Sequence, residues 1–185
     1  MEIKGSAVMA IRDYVKNNHG SKYDEWVNGL PTDSKKLFAD FIDSSKWYPV
    51  QEAAIDSTLK MSELFYSGDY KKAAWNSGKF SAQKGLTGIY KLYVKAASPI
   101  HIINRASRVF AAFYQPCKME VIAKADKTVS VHVSEMGNCH DVIIYRIAGW
   151  CQQALEISGT KNTEIKIAKE SVNAQPVFRL DMSWN

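Results

Sequence analysis

With 185 residues, 46% hydrophobic and 23% charged, the chain can bury one sizeable core and is too apolar to be disordered. Its net charge of +5 permits an anionic partner without requiring one. No apolar run reaches the roughly 18 to 20 residues of a membrane span, and the start Met1-Glu-Ile-Lys-Gly lacks the charged-then-apolar order of a secretory signal. A cytoplasmic protein is expected.

No repeat, low-complexity tract or Gly/Ser/Pro linker interrupts the chain, so residues 1–185 are read as a single domain. Val8, Ile11 and Val15 fall on one helical stripe beside Ala7, Ala10 and Tyr14, predicting a first helix that stops near Asn18-His19-Gly20. A short helix from Tyr23 to Asn28 is ended by Gly29-Leu30-Pro31, and another helical turn or two covers Ser34 to Phe41. "KWYPV" is a break, because Tyr48 precedes Pro49 and is pushed out of the helical region.

From Val50 to Tyr66 the spacing of Ala54, Leu59, Met61, Leu64 and Phe65 predicts a helix, closed by Ser67-Gly68. Asp69 then caps a long stretch through Tyr70, Ala74, Ile89, Leu92 and Tyr93, which Gly78, Gly85 and Gly88 divide into one helix or two. "SPIHIINRASRVFAAFY" is the next helix, with Ser98 as N-cap and Pro99 in the first helical position.

After Pro116 the period changes from helical to alternating. Met119, Val121 and Ala123 share one face of a strand, and Val129, Val131 and Val133 one face of the next; Asp126-Lys127 joins them as a hairpin. Asp141 is expected to cap the apolar helix "VIIYRIAGWCQQALEIS", which Gly159 ends. A second strand pair follows, Glu164 to Ala168 and Val177 to Trp184. The fold class is therefore α+β: a helical first two-thirds, then a β-β-α-β-β unit with a four-stranded antiparallel sheet.

This order of elements is similar to the heme nitric-oxide/oxygen-binding (H-NOX) domain and the 4-vinyl-reductase-like fold group around it. "KGSAVMAIRDYVKNNHGSKYDEWVNGL" resembles the family's first helix, His-Gly stop and Trp-containing second helix; "FYSGDYKKAAWNSG" resembles its Gly-Asp/Glu-Tyr helix start. "INRASRVFAAFYQPCKMEV" resembles its helix leading to a proline and the first strand, and "IIYRIAGWCQQALEISGTKNTEIKI" continues the match.

What the resemblance implies about heme is negative. In heme-binding members a histidine midway along the helix ligates iron, and aligning "NRASRV" places Ala106 there. Those members also hold the propionates with Tyr-x-Ser-x-Arg, where this chain reads "HVSEMGN". His101, five residues before Ala106, is rotated by about 500° and displaced by about 7.5 Å along the axis, so it cannot stand in without moving the helix. No heme cofactor is expected. The early "YP", the Gly-Asp-Tyr helix and the Ser-Pro start look closest to heme-less domains of unknown function common in myxobacteria and related bacteria.

Ile103, Ala106, Val109, Phe110 and Phe113 are the candidate lining of an apolar ligand pocket, unless the stripe is plain core filled by Trp75, Tyr90 or Tyr93. Arg105 and Arg108 stand three apart and face either an anionic group or solvent. Cys117, Cys139 and Cys151 match neither a disulfide framework nor a zinc pattern, and with His132 and His140 they form no standard metal set; reduced, structural thiols and no metal are expected.

No nucleophile elbow, phosphate loop or HExxH motif appears, so no catalytic residue is assigned and no enzyme is expected. The leading reading is a non-catalytic bacterial sensory or regulatory domain that binds a small apolar molecule or a signalling protein. No output domain is legible, so a partner or a homodimer is expected to carry the signal, and Trp47, Trp150 and Trp184 are candidates for an exposed aromatic patch. Two alternatives are a gas sensor holding heme through a non-standard ligand and a nucleic-acid-binding protein using Lys71, Lys72, Lys79, Lys84, Lys91 and Lys95.

Overall fold

A computed structural model of the chain describes residues 1–87, 92 and 97–185. Strand β1 (Glu2–Lys4) runs straight into helix α1 (Gly5–His19), and a 3₁₀ turn, Gly20–Lys22, leads to α2 (Tyr23–Asn28). Helix α3 (Thr32–Ala39), strand β2 (Trp47–Pro49) and a π-helical turn, Gln51–Ile55, precede α4 (Asp56–Phe65) and α5 (Tyr70–Gly85). Then come α6 (Pro99–Phe113), β3 (Tyr114–Gln115), the hairpin β4 (Lys118–Ala125) and β5 (Thr128–Ser134), α7 (Val142–Ile157), β6 (Glu164–Val172) and β7 (Gln175–Ser183). The expected helical stretch through Ile89 and Tyr93, and the placement of Tyr90, Lys91 and Lys95, lie outside the described residues.

The expected four-stranded antiparallel sheet is present in the order β4-β5-β7-β6. Its inner face, Val129, Val131, Val133, Leu180 and Met182, joins one continuous core with α7. That helix is apolar almost all round, with Val142, Ile143, Ile144, Ile147, Ala148, Cys151, Ala154 and Leu155 buried, as befits a central element.

Local signals act where the sequence places them. Ser98 caps α6 by accepting from the His101 amide at 3.3 Å, the Asp69 carboxylate caps α5 through Lys72 N at 2.9 Å, and Gly159 takes φ +102° after α7.

Four expectations change. Asp141 makes no cap bond: its carboxylate pairs with Lys169 at 2.9 Å, and His140 Nδ1 accepts from the Val142 amide at 3.1 Å instead. Ala123 leaves the inner face, because the register of β4 against β5 shifts between Val121 and Ala123, a bulge at Ile122. The first two-thirds is not all helical: at the "KWYPV" break, which interrupts the helices as expected, Trp47–Pro49 pairs with Glu2–Lys4 in a second sheet ordered β2-β1-β3. The tryptophans form no shared exposed patch: Trp184 is buried, Trp47 lies under the Lys4 ammonium, and Trp150 faces inward beside Phe110.

Helices α5 and α7 cross so closely that glycine is required on both. A Cβ on Gly78 would sit 2.0 Å from the Arg146 carbonyl oxygen, and one on Gly149 would sit 2.1 Å from that of Trp75. Gly149→Ala forces two packed backbones apart; it should cost about 3 kcal/mol, the upper end of overpacking, and lower Tm by roughly 10 °C in thermal melts.

The three cysteines are free, and burial pushes the thiols of Cys117 and Cys151 up to about 12. The folded chain thus holds these protons more tightly than the unfolded chain, whose thiols ionise near 9. Their contribution to stability is complete below that pH and is lost as pH rises from 9 toward 12. Urea denaturation should show lower stability at pH 10 than at pH 7, a difference that shrinks in the Cys117→Ala variant.

Candidate functional site: a cavity floored by a buried arginine

The site arises where α1, α5, α6 and α7 fail to close on one another. Small residues face the gap: Ala7 and Ala10 from α1, and Gly78, Ser81 and Gly85 from α5. Opposite them stand Val109, Phe110 and Phe113 of α6 and Trp150 of α7. The result is a cavity of about 490 Å³ with mostly apolar walls, inside the range of about 300–1,000 Å³ usual for small-molecule sites.

Its polar groups sort by depth. Ser6, Ser44 and Lys84 are exposed at the rim, where the Lys84 ammonium pairs with Asp13 at 3.0 Å and links α5 to α1. At the floor lies Arg146, only 2% exposed and the one charged side chain buried among the described residues. Its Nε donates to the Tyr114 hydroxyl at 3.2 Å, Nη2 to the Ala7 carbonyl at 3.1 Å, and Nη1 to the Ser77 hydroxyl. All three acceptors are neutral. Burial raises the pKa of Tyr114, against the pull of the adjacent guanidinium, so the phenol stays protonated.

The sequence-derived candidates divide. Val109, Phe110 and Phe113 line the cavity, whereas Ile103 and Ala106 lie on the same helix, buried in the core outside its lining. Arg105 and Arg108 are exposed with His101 and Asn104 along an outer groove of α6, away from the floor. The residue that sequence reasoning missed is Arg146. Its signal was a lone charge in the middle of "VIIYRIAGW", on a helix with no polar face to hold it.

The cavity wall does not suit a histidine-ligated heme, which needs an imidazole on the iron. Ala106 presents a methyl group and is 1% exposed. His19 stacks on Phe65, His132 contacts Glu170 on the sheet, His140 caps α7, and His101 is exposed on α6. None of the four lines the cavity, nor does any cysteine. Among the described residues no group of three or more His, Cys, Asp or Glu side chains is placed to hold a metal ion, and no helix is long and apolar enough to cross a membrane. The basic residues read as a nucleic-acid face are partly engaged: Lys79 pairs with Glu156 at 2.8 Å, Lys84 with Asp13, and Lys71 lies over the Tyr145 ring.

No protein-family model and no curated protein is similar in sequence to this chain. Solved structures are similar in shape. The Fe(II) unliganded H-NOX protein from K. algicida is 12% identical, with TM-score 0.73 over 99% of this chain and 97% of that one. A T. tengcongensis H-NOX mutant is 8% identical, with TM-score 0.70 over 99% and 98%. A mutant H-NOX protein from S. oneidensis is 13% identical, with TM-score 0.70 over 99% and 96%. The chain has an H-NOX-like α+β fold.

The neutrality of Arg146's partners has a measurable consequence. Both variants remove the buried charge and its three hydrogen bonds; a side chain of similar length keeps most of the volume filled, whereas truncation adds a void. Arg146→Met should stay within about 1.5 kcal/mol of the wild type in urea denaturation, and Arg146→Ala should cost about 3 to 4 kcal/mol.

Proposed function

We propose that this chain is a non-catalytic sensory or regulatory module on the H-NOX-like fold, that it holds no heme, and that it binds a small molecule in the cavity between α1, α5, α6 and α7. The observation that carries this reading is the chemistry of the cavity wall. A pocket of about 490 Å³, apolar except for its floor and rim, carries no histidine and has Val109, Phe110 and Phe113 on the helix that presents the iron ligand in heme-binding members. Among the described residues its ionisable groups are Asp13, Lys84, Tyr114 and Arg146. Asp13 is already tied to Lys84, and Tyr114 is held protonated by burial, so among the described residues no nucleophile-and-base pair faces the cavity.

In this reading the chain groups with the heme-less domains common in myxobacteria and related bacteria. Ligand entry changes the packing of α6 against α1 and α5, and a signalling partner or a second copy of the chain reads that change.

The first experiment is an ultraviolet–visible absorption spectrum of protein purified from heme-supplemented cells. The expected spectrum has no Soret band after gel filtration, and mass spectrometry of the denatured protein should release a small organic molecule. A Soret band that co-elutes with the protein would overturn the heme-free reading.

A further inference from the structure

We propose that the ligand is an anionic amphiphile: a monocarboxylate whose head sits on Arg146 and whose apolar body lies along Val109, Phe110, Phe113 and Trp150. This rests on the reading of the cavity as a ligand site and names the class of molecule it takes.

The charge balance points there first. A guanidinium has five N–H donors, and three of those on Arg146 go to Tyr114, Ser77 and Ala7. The remaining two have no protein acceptor among the described residues, and no carboxylate forms an ion pair with this side chain. Residues 88–91 and 93–96 contain neither Asp nor Glu, so they hold no acid that could neutralise it. The only carboxylate on the cavity wall, Asp13, is paired with Lys84 at the rim. The floor is therefore a buried positive charge without a counter-ion.

Hydrogen-bonding capacity points the same way. Tyr114 lines the cavity and accepts from Arg146 Nε, which leaves its own O–H hydrogen to give. Arg146 and Tyr114 thus keep two guanidinium hydrogens and one phenol hydrogen beyond these bonds, a number the lone pairs of one carboxylate can accept.

Other ligand classes fit less well. A cation meets the guanidinium with repulsion, and a neutral apolar molecule leaves the buried charge as it was. A dianion such as a phosphate monoester carries charge beyond what one guanidinium balances, into walls that cannot replace its hydration. A monocarboxylate with an apolar chain satisfies the floor and buries its body against the walls.

The test is calorimetric titration with decanoate and with decanol, which share an apolar chain and differ in charge at the head. The wild type should bind decanoate at least about tenfold more tightly than decanol, and Arg146→Met should lose at least about thirtyfold for decanoate while leaving decanol unchanged. Val109→Trp, which fills cavity space from the α6 wall and leaves Arg146 in the chain, should weaken both. If Arg146→Met does not fold, the wild-type comparison stands alone, supported by a smaller loss for decanoate in Tyr114→Phe. Equal affinity for the two probes would overturn the carboxylate anchor and leave the ligand-binding reading intact. Binding of neither would overturn both.

Discussion

One guanidinium ties the four walls of the site together. From the second turn of α7, Arg146 reaches the first turn of α1 at Ala7, the middle of α5 at Ser77, and Tyr114, where α6 passes into β3. Burying a charge with only neutral acceptors costs on the order of several kcal/mol after relaxation. The favourable burial of the apolar core offsets that cost across the molecule as a whole. Its hydrogen bonds join segments that lie far apart in the chain.

The depth of the arginine depends on the glycine crossing beside it. Gly78 admits the Arg146 carbonyl, and Gly149 admits that of Trp75, so α5 and α7 meet backbone to backbone. With the backbones in contact, the Arg146 side chain emerges at the level of Ser77 and runs along α5 rather than out between the helices. Bulkier residues at the crossing would lift α7 and break the reach to Ala7. The Trp75 indole donates to Gln152 at 2.7 Å, which closes the same crossing on its outer side.

Much of this was legible in the chain, where the signals were local. Ser98-Pro99, Asp69, Gly159 and the alternation around Val129, Val131 and Val133 carry their structural meaning within a few residues, and each element forms where its pattern lies. The second sheet was not legible. Its strands are two or three residues long, and Ile3 finds Tyr48 and Tyr114 as partners only after the helices have brought the segments together. Strand alternation cannot be read over so short a span. The bulge at Ile122 likewise depends on pairing with β5, and the Asp141 carboxylate is drawn off the helix end by a lysine on β6 that no local window contains. For the site, the face of α6 through Val109, Phe110 and Phe113 was readable as a helical stripe. The division of that stripe between cavity and core, at Ala106, follows from the path of α5 and α7 and has no sequence signal.

The small sheet gives the cavity a mechanical character. Helix α6 passes without a break into β3, β3 pairs with β1, and β1 passes without a break into α1. Two opposite walls are therefore levers fixed to one short ladder, in which Glu2 faces Gln115 and Ile3 faces Tyr114. Any molecule that wedges α6 away from α1 applies torque at that ladder. The strain passes to β2 through Ile3 and Tyr48, and on to the loop whose Ser44 and Lys46 carbonyls accept the first amides of α1. On the proposed reading of the cavity as a ligand site, the far edge of this ladder, at Trp47 to Pro49, is where its filling would be felt.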